Sequence, residues 1–424
     1  RFKGAFDEEA FRAAVTALVR RHELLRSRVE VRDGLPVLRV SEEFATPVEF
    51  FDLRAEPDAV AETVRALVRR PFDLAAGGLL RVVVVRAADD EYHVIETMHH
   101  SVTDQWSFVR LNRELLEHYR AARENRPARV PELPVQYGDF AVWQRQCFTG
   151  DRRRAHRDFW RANLEGMPAH LPLPYDAPPE GRGHEGKHHY FRLDDELSAA
   201  FLAMCRSSRL TLSDALLAVY VGLLHEETGS RDIVVGLPSA TRGRPETHDL
   251  IGFLLTNVPL RARLPAGPTP TQILHAVRQA LEGVADHREV PFSEIVDAVS
   301  PERSLDRYPL LQTMHLVLDF DDTVIRVPDA EVHGVEVEDG VSPMDITVGW
   351  WRAGDRMYGR FEYRTELFTD ATVDRLVGRL LELVRVFVER PDEPLRVRAA
   401  APAPVPARAA TAAPAAPAPV DPGE

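Results

Sequence analysis

The sequence predicts a mixed α/β fold built from two lobes. Helical periodicities and runs of β-branched residues alternate in both halves of the 424-residue chain, which favours open mixed sheets packed with helices. A stretch rich in proline and glycine at 166–187 indicates a linker between the halves. We therefore expect an N-terminal lobe at 1–170, a C-terminal lobe at 171–398 and an Ala/Pro-rich linker at 399–424.

The first half opens with a helix from Asp7 to Val29, because Asp7 can cap it and Phe11, Val15 and Leu18 recur at helical spacing. β-Branched runs predict strands at 35–40, 46–51, 79–87 and 92–99, the last two forming a hairpin. Further helical patterns surround a proline-rich loop at 126–136 and lie at 106–123, 139–147 and 152–165.

The second half repeats this mixture of elements. Helices are predicted at 194–207, 211–227, 271–285, 292–298 and 370–389. Strands are predicted at 232–237, 312–319, 331–338, 344–352 and 356–363. Each half therefore supplies enough strands and helices for a sheet of its own.

Composition excludes several classes of function. Fifty-three basic against 66 acidic residues give a net charge of −13, which disfavours a nucleic-acid partner. Two cysteines, Cys147 and Cys205, cannot form a disulfide framework or a four-cysteine zinc site, so we expect free thiols, no metal and a cytoplasmic location. The sequence has no run of 18 apolar residues and no signal peptide, so we expect no membrane association.

Both ends suggest a chain that continues into neighbouring domains. The segment 399–424 consists largely of alanine and proline, and such a composition favours an extended spacer over a packed core. We expect it to lead toward a following domain; a disordered terminal tail is the alternative.

The stretch 97–107, with the sequence TMHHSVTDQWS, lies where a predicted strand meets a helix. On a strand, His99 and His100 point to opposite faces, so they are poorly placed to share a metal ion. One imidazole could line a cleft as a general base, and Asp104 could pair with a cation. The alternative is two structural histidines beside a helix-capping aspartate.

Five further stretches occur in an order typical of one family. They are RHELLRSRV at 21–29, VQYGDFAVWQRQ at 135–146, LIGFLLTNVPLR at 250–261, HREVPFSEIVDAVSPERSLDRYPLLQTM at 287–314 and FEYRTELF at 361–368. Together with the paired histidines, they resemble the condensation domains of nonribosomal peptide synthetases. The resemblance extends from about residue 2 to residue 390.

The resemblance implies a V-shaped pseudodimer of two chloramphenicol-acetyltransferase-like lobes with a central tunnel. The family motif HHxxxDG is matched at 99–105, which makes His100 the residue that assists the acceptor amine in the tunnel. Asp104 would be structural with Arg26 as its partner, and His99 would face the core.

The implied activity is peptide-bond formation in antibiotic biosynthesis, a branch of secondary metabolism. A donor acyl or peptidyl thioester and an acceptor aminoacyl thioester would each arrive on the 4′-phosphopantetheine of a carrier protein. Upstream donor and downstream acceptor carrier proteins and an adjoining adenylation domain are the expected partners. No directly bound cofactor is expected, and the sequence has no glycine-rich phosphate loop.

The sequence departs from the family pattern at two places. Gln105 replaces the glycine that follows the aspartate, so we expect either an altered backbone or a polar side chain beside the active site. At 253–257 the usual Phe-Val-Asn-Thr order is changed to Phe-Leu-Leu-Thr-Asn, which leaves Asn257 as a candidate channel residue. Gln105 is compatible with normal catalysis, with a subclass that acts on a modified residue, or with lost catalysis.

Trp106, Ser107, Ser342 and Asp345 are further candidates for lining the substrate channel. We expect Tyr137, Asp139 and Trp143 to pack at the lobe junction and His184, His188 and His189 to lie in a solvated loop.

Alternatives to an amide-forming enzyme remain open. A catalytically silent module that recruits a tailoring enzyme would fit Gln105 but not the retained His100. An epimerase or a cyclising relative is a further alternative, and the two histidines argue against the cyclising one. A free-standing transferase is also possible, and the Ala/Pro segment argues against it. The subtype that joins an L-configured donor to an L-acceptor is favoured.

Overall fold

The protein is described by a computed structural model, which covers residues 1–178, 183–299, 308–318, 325–327, 329–334 and 337–398. The predicted linker at 399–424 lies outside these residues. In the described part, the helices are α1 Glu8–Arg21, α2 Val60–Val68, α3 Gln105–Arg123, α4 Tyr137–Cys147, α5 Gly150–Leu164, α6 Asp195–Ser207, α7 Leu212–Thr228, α8 Pro270–Val284, α9 Phe292–Val299 and α10 Asp370–Glu389.

The strands of the described part are β1 Phe2–Gly4, β2 Ser27–Arg32, β3 Leu35–Val40, β4 Val48–Asp52, β5 Leu80–Arg86, β6 Glu91–Met98, β7 Gly186–Arg192, β8 Asp232–Ala240, β9 Leu255–Arg263, β10 Thr313–Val317, β11 Ile325–Val327, β12 Ala330–Val332, β13 Ile346–Ala353 and β14 Arg356–Arg364. Short 3-10 helices lie at Glu23–Arg26, Pro57–Ala59, His100–Val102, Pro245–Thr247 and Ala285–His287.

Polar caps explain where several helices begin. Asp7 accepts a hydrogen bond from the backbone N–H of Ala10 at the start of α1, and Asp104 accepts one from Ser107 at the start of α3. Such bonds satisfy donors that the first helical turn leaves unpaired. Helix α7 is buried on all sides, which fits its nearly continuous apolar sequence and makes it the centre of the second core.

The first sheet has the strand order β11-β12-β1-β6-β5-β4. Strands β5 and β6 form the predicted antiparallel hairpin, with Leu80 opposite Met98. Strand β1 pairs with β6 on one side and with β12 on the other, so the sheet of the first half is extended by strands from the second half. Helices α1 and α3 cover one face of this sheet and α2 covers the other.

The second sheet has the order β7-β14-β13-β10-β8-β9, with parallel pairs at its centre and antiparallel pairs at its edges. Its main core contains residues of α6, α7, α8 and α10. Both sheets are mixed and packed with helices, as the sequence predicts.

Several local predictions are wrong. The helix predicted to reach Val29 ends at Arg21, and a 3-10 turn followed by β2 replaces its last third. The predicted linker at 166–187 leads directly into β7, which the sequence reading misses. The elements β1, α2 and β9 are also missed. Strand β1 is short, α2 follows a proline, and β9 contains an internal proline.

The division proposed at residue 170 stays a prediction, and the packing of the described residues crosses that position. Trp160 and Leu164 of α5 belong to the second core, although they precede that position. Conversely, Ile251 from the second half packs in the first core beside Leu111. Chain segments therefore cross between the lobes in both directions, and a boundary drawn in sequence separates residues that share one core.

In the described part of the chain, no single helix has the length and apolar composition needed to cross a membrane. The pair α6 and α7 meets that test only when taken together, and the two helices are bent by 111° at their break.

Candidate active site

The candidate site forms at the junction of β6 and α3. Strand β6 ends at Met98, so His99 and His100 lie in a turn, and the predicted alternation of strand faces does not apply to them. His99 precedes the 3-10 helix His100–Val102, and Asp104 caps α3, which begins at Gln105. The tight turn fixes both imidazoles relative to the helix.

His100 is exposed, and its Nδ1 atom lies 2.9 Å from the carbonyl oxygen of Thr103. A carbonyl oxygen can only accept, so Nδ1 carries the hydrogen and the neutral ring keeps its lone pair at Nε2. The ring of Phe253 meets that of His100 edge to face, with centroids 5.1 Å apart. The arrangement therefore presents a base of fixed tautomer and orientation.

His99 is half-buried and has a local role. Its Nδ1 accepts a hydrogen bond from the backbone N–H of Ser101 at 3.2 Å and lies 2.8 Å from the Ser101 hydroxyl. The ring of Phe72 meets His99 at a centroid distance of 6.0 Å. His99 thus stabilises the turn that carries His100.

Asp104 is buried, and its carboxylate joins residues of the two lobes. One carboxylate oxygen accepts from the backbone N–H of Ser107 at 2.7 Å, and the other accepts from that of Leu254 at 3.0 Å. The guanidinium of Arg242 donates to the same carboxylate at 3.1 and 3.2 Å. A buried carboxylate surrounded by these donors holds the start of α3 against the second half.

The predicted partnership of Asp104 with Arg26 is wrong. Arg26 instead donates to the carbonyl of Ser41 at 2.6 Å and lies 3.7 Å from Glu23. Because the helix predicted through Val29 turns into β2, Arg26 is directed along the β2–β3 hairpin. Arg242 takes its place in the structure.

Arg242 organises the segment that crosses from the second half. It donates to the hydroxyl of Ser107 at 2.7 Å and to the carbonyls of Thr247 and Leu250 at 2.7 and 2.9 Å. Burial lowers the pKa of Arg242, and the adjacent Asp104 carboxylate opposes that effect. The guanidinium nevertheless remains charged, so the pair is a buried salt bridge.

Gly252 allows this segment to approach the site closely. A Cβ atom at Gly252 would lie 2.2 Å from Cδ2 of Tyr137, and its backbone exchanges two hydrogen bonds with the Ser107 hydroxyl. The Tyr137 hydroxyl donates to the carbonyl of Phe253 at 3.2 Å, and burial raises the pKa of Tyr137. These contacts place Phe253 against His100.

Gln105 is the first residue of α3, and its side chain is exposed. It is not among the non-glycine residues with positive φ, so replacing the family's glycine requires no strained backbone here. That a polar side chain at this position lies beside the active site stays a prediction. Trp106 is half-exposed, and its indole N–H donates to the carbonyl of His248 at 2.9 Å.

The other candidate channel residues are placed by contacts within the second half. The amide of Asn257 donates to the Tyr308 hydroxyl at 2.9 Å. Asp345 accepts from the Tyr175 hydroxyl at 2.6 Å and lies 3.5 Å from Arg364. The buried hydroxyl of Ser342 donates to the carbonyl two residues later. Whether these residues line a channel stays a prediction.

His188 and His189 were predicted to lie in a solvated loop, but they lie on β7. The His188 ring is largely buried, 3.5 Å from the carboxylate of Glu362. His189 lies 3.3 Å from the carboxylate of Asp374. Pairing of β7 with β14 places His188 opposite Glu362, whereas Asp374 lies on α10.

Two residues of the site were missed from the sequence. Arg242 lies within an ordinary polar stretch, and its only signal was a cationic residue shortly before the LIGFLLTNVPLR motif. Phe253 lies within that motif but carried no assigned role.

Within the described ranges, no three metal-binding side chains of His, Cys, Asp or Glu come together.

Comparisons with known proteins give the family. The sequence profile described as the condensation domain matches residues 1–401. The chain is 35% identical over 394 residues to phosphinothricin tripeptide synthetase PhsC of Streptomyces viridochromogenes, covering 90% of this chain and 36% of that protein. It is 30% identical over 394 residues to bacitracin synthase 3 of Bacillus licheniformis, covering 92% and 6%. The chain thus spans little more than a third of the first relative and far less of the second.

Solved structures agree on the fold. The X-domain from teicoplanin biosynthesis matches with a TM-score of 0.82 at 22% identity, covering 93% of this chain and 90% of that one. The first condensation domain of the calcium-dependent antibiotic synthetase, in complex with a substrate analogue, matches with a TM-score of 0.77 at 17% identity, covering 93% and 91%. The predicted fold class is confirmed.

Proposed function

The chain belongs to the condensation-domain family, and on that premise we propose that it forms an amide bond between two thioesters in nonribosomal peptide synthesis. The donor is an acyl or peptidyl thioester and the acceptor an aminoacyl thioester. Each is carried on the 4′-phosphopantetheine arm of a carrier protein, and the protein itself needs no bound cofactor for this reaction.

The observation that carries the proposal is the state of His100. Its Nδ1–H is held by the Thr103 carbonyl, so Nε2 is the basic atom, and the ring is exposed. Phe253 packs against the ring and restricts its rotation. A histidine of fixed tautomer is suited to accept a proton from an attacking amine near neutral pH.

In the proposed reaction, the acceptor nitrogen attacks the donor carbonyl carbon, the N–C bond forms and the C–S bond breaks. His100 Nε2 accepts the proton that the nitrogen loses and returns one to the departing sulfur. Because a thioester is already activated, alignment of the two groups supplies much of the acceleration. Proton transfer through His100 adds about 10²–10⁴-fold.

Asp104 and Arg242 are positioning residues in this scheme. They fix the start of α3 and the crossing segment, and these carry the turn of His100 and the ring of Phe253. Ser107 joins the two because its hydroxyl contacts both Arg242 and Gly252.

Partners follow from the same proposal. Upstream and downstream carrier proteins would deliver the thioesters, and an adenylation domain would load the acceptor carrier. Both relatives are much longer than this chain, which leaves room for such domains. We propose a cytoplasmic location for this assembly.

The test mixes the protein with a loaded donor and a loaded acceptor carrier and follows the masses of the intact carriers. We expect transfer of the donor group onto the acceptor carrier, and a loss of about 10²–10⁴-fold in rate with His100→Ala. His248→Ala, which removes an exposed imidazole of the crossing segment, is the control and should retain most of the rate. Equal rates for wild type and His100→Ala would refute the role of His100.

A silent recruiting module is the second candidate. The X-domain of teicoplanin biosynthesis, solved also in complex with OxyB, shares the fold with a TM-score of 0.81 at 23% identity. Gln105 in place of glycine favours this candidate, whereas the intact histidine pair favours the enzyme. Stable binding of an oxygenase, without product from any loaded pair of carriers, would support it.

A further inference from the structure

Two histidines from distant parts of the chain contact each other outside the candidate active site. His156 lies on α5, and His287 lies in the 3-10 turn Ala285–His287 that follows α8. Their Nδ1 atoms are 2.8 Å apart, and the two rings meet edge to face with centroids 4.8 Å apart. A contact this short between two ring nitrogens requires one hydrogen between them, so one imidazole donates and the other accepts.

Three aromatic side chains surround the histidine pair. Phe159 stacks on the His287 ring at a centroid distance of 3.7 Å, and the indole N–H of Trp160 donates to the His287 carbonyl at 3.3 Å. Phe148, between α4 and α5, packs against the His156 ring at 5.7 Å. Both histidines are half-buried, so the pair is held in one geometry but still exchanges protons with solvent.

The surroundings of the pair disfavour a second positive charge. Burial lowers the pKa of His156, and the charges of His287 and Arg152 act in the same direction. Burial also lowers the pKa of His287, and the carboxylate of Asp286 opposes this effect. Two protonated imidazoles in contact repel each other and leave no lone pair to accept a hydrogen bond.

The other charged groups of this interface keep their charge in mild acid. Glu294 of α9 accepts from Arg153 at 2.9 Å and from Arg157 at 3.2 Å, both on α5. Burial opposes ionisation of Glu294, but the hydrogen bonds from the two arginines hold its pKa below the ordinary value. Arg288 and Glu289, which follow the pair in the chain, are exposed and therefore screened by solvent. The histidines are thus the groups here that change charge just below neutral pH.

The chain that follows the pair contacts a candidate channel residue. The carbonyl of Val290 accepts from the hydroxyl of Thr256 on β9 at 2.8 Å, and Thr256 precedes Asn257. The ring of Phe292 stacks on that of Tyr308 at 5.4 Å, and the Tyr308 hydroxyl accepts from the Asn257 amide. Movement of this segment would therefore displace the partners of Asn257.

We propose that His156 and His287 form an acid-releasable clasp that holds the corner segment, residues 285–292, against α5. The neutral pair shares one hydrogen, and a first added proton leaves an imidazolium that still donates to the other ring. A second added proton removes the remaining acceptor, so the contact breaks and the corner segment is released. The inference concerns conformation and does not depend on the reaction proposed above.

Hydrogen exchange of the whole chain at several pH values tests the clasp. Below about pH 6.5 both released rings carry a proton, whereas the clasped pair carries at most one. Each pH unit below that value should therefore favour release by about tenfold. The amides of Glu294 and Ile295, which donate to the Pro291 carbonyl, report release after correction for the intrinsic effect of pH, and those of α7 report unfolding of the second core. Protection at Glu294 and Ile295 that falls no faster than that of α7 would overturn the proposal.

His156→Asn separates the charge of the clasp from its hydrogen bond. The amide can still share a hydrogen with His287 but takes up no proton, so the pH dependence should drop from about tenfold to less than about twofold per pH unit. His275→Asn, which replaces an exposed histidine of α8, is the matched control and should keep the tenfold dependence. If His156→Asn keeps the dependence of the wild type, another group titrates and the clasp is refuted. Circular dichroism checks folding, and His287→Asn gives the same comparison from the other side of the pair.

Discussion

The two lobes each bury an ionisable group, and they do so in opposite ways. At the lobe junction, Asp104 is surrounded by the Arg242 guanidinium and by backbone N–H groups. In the second core, His315 is almost fully buried beside Tyr220, and its Nε2 atom has no hydrogen-bond partner among the described residues.

The chemistry of each group follows from its surroundings. A carboxylate with matched donors remains charged and can fix the geometry of the chains that supply them. An imidazole without a partner is kept neutral, and burial lowers the pKa of His315 to about 3. The junction therefore depends on a charge being present, and the core depends on a charge being absent.

The largest expected effect breaks the junction. Asp104→Asn keeps the shape but leaves the Arg242 guanidinium buried without a counter-charge, which should lower the free energy of unfolding by about 3–5 kcal/mol. Urea denaturation measures this loss. Asp52→Asn, in the exposed pair with Arg54, is the control and should leave the free energy of unfolding nearly unchanged, because solvent screens an exposed ion pair. Similar losses in the two variants would contradict the structural importance of the junction.

A smaller effect disturbs the same junction by volume instead of charge. Gly252→Ala places a Cβ atom against the Tyr137 ring, and overpacking of this kind costs about 1–3 kcal/mol. Because Phe253 follows directly, we expect the rate of amide formation to fall as well. Adding Tyr137→Leu to Gly252→Ala should restore the free energy of unfolding. If the double variant is no more stable than Gly252→Ala alone, the Tyr137 ring is not the obstacle.

Lowering the pH tests the buried, neutral imidazole in the second core. His315 has a pKa of about 3 in the folded chain against 6.5 when unfolded, so the unfolded state binds the proton first and stability falls as pH drops below 6.5. Relative to His315→Leu, the wild type should lose about 1.4 kcal/mol between roughly pH 7.5 and 5.5. Denaturation curves at the two pH values measure the difference; parallel losses would show that His315 is not the titrating group.

The smallest effect concerns Gln105. Its helical backbone and exposed side chain predict that Gln105→Gly lowers stability by about 0.5–1 kcal/mol, because glycine loses more conformational freedom in a helix. We expect the rate of amide formation to stay within about twofold, since the variant alters none of the Asp104 contacts. A large gain in rate would instead make Gln105 the reason for an altered subclass.

Local patterns predicted the regular elements well. The helices that start at Asp7 and Asp104, the β5–β6 hairpin and α10 depend on capping, turn and periodic residues close in sequence. The same patterns failed at 22–32, where a helical composition forms a 3-10 turn and a strand instead. There, pairing of β2 with β3 outweighs helix propensity.

The sequence by itself determined the mixed two-lobed fold and the helix that Asp104 caps, because each is specified by residues within a few positions. The turn that carries His100 was not predicted, since the two histidines were expected on a strand. Only the tertiary structure decided that Arg242, 138 residues away, is the partner of Asp104, and that strands of the second half complete the first sheet. Such choices depend on the path of the chain between distant segments. Sequence spacing carries no information about that path, so Arg26 was the expected partner and Arg242 was missed until the crossing segment placed it at the site.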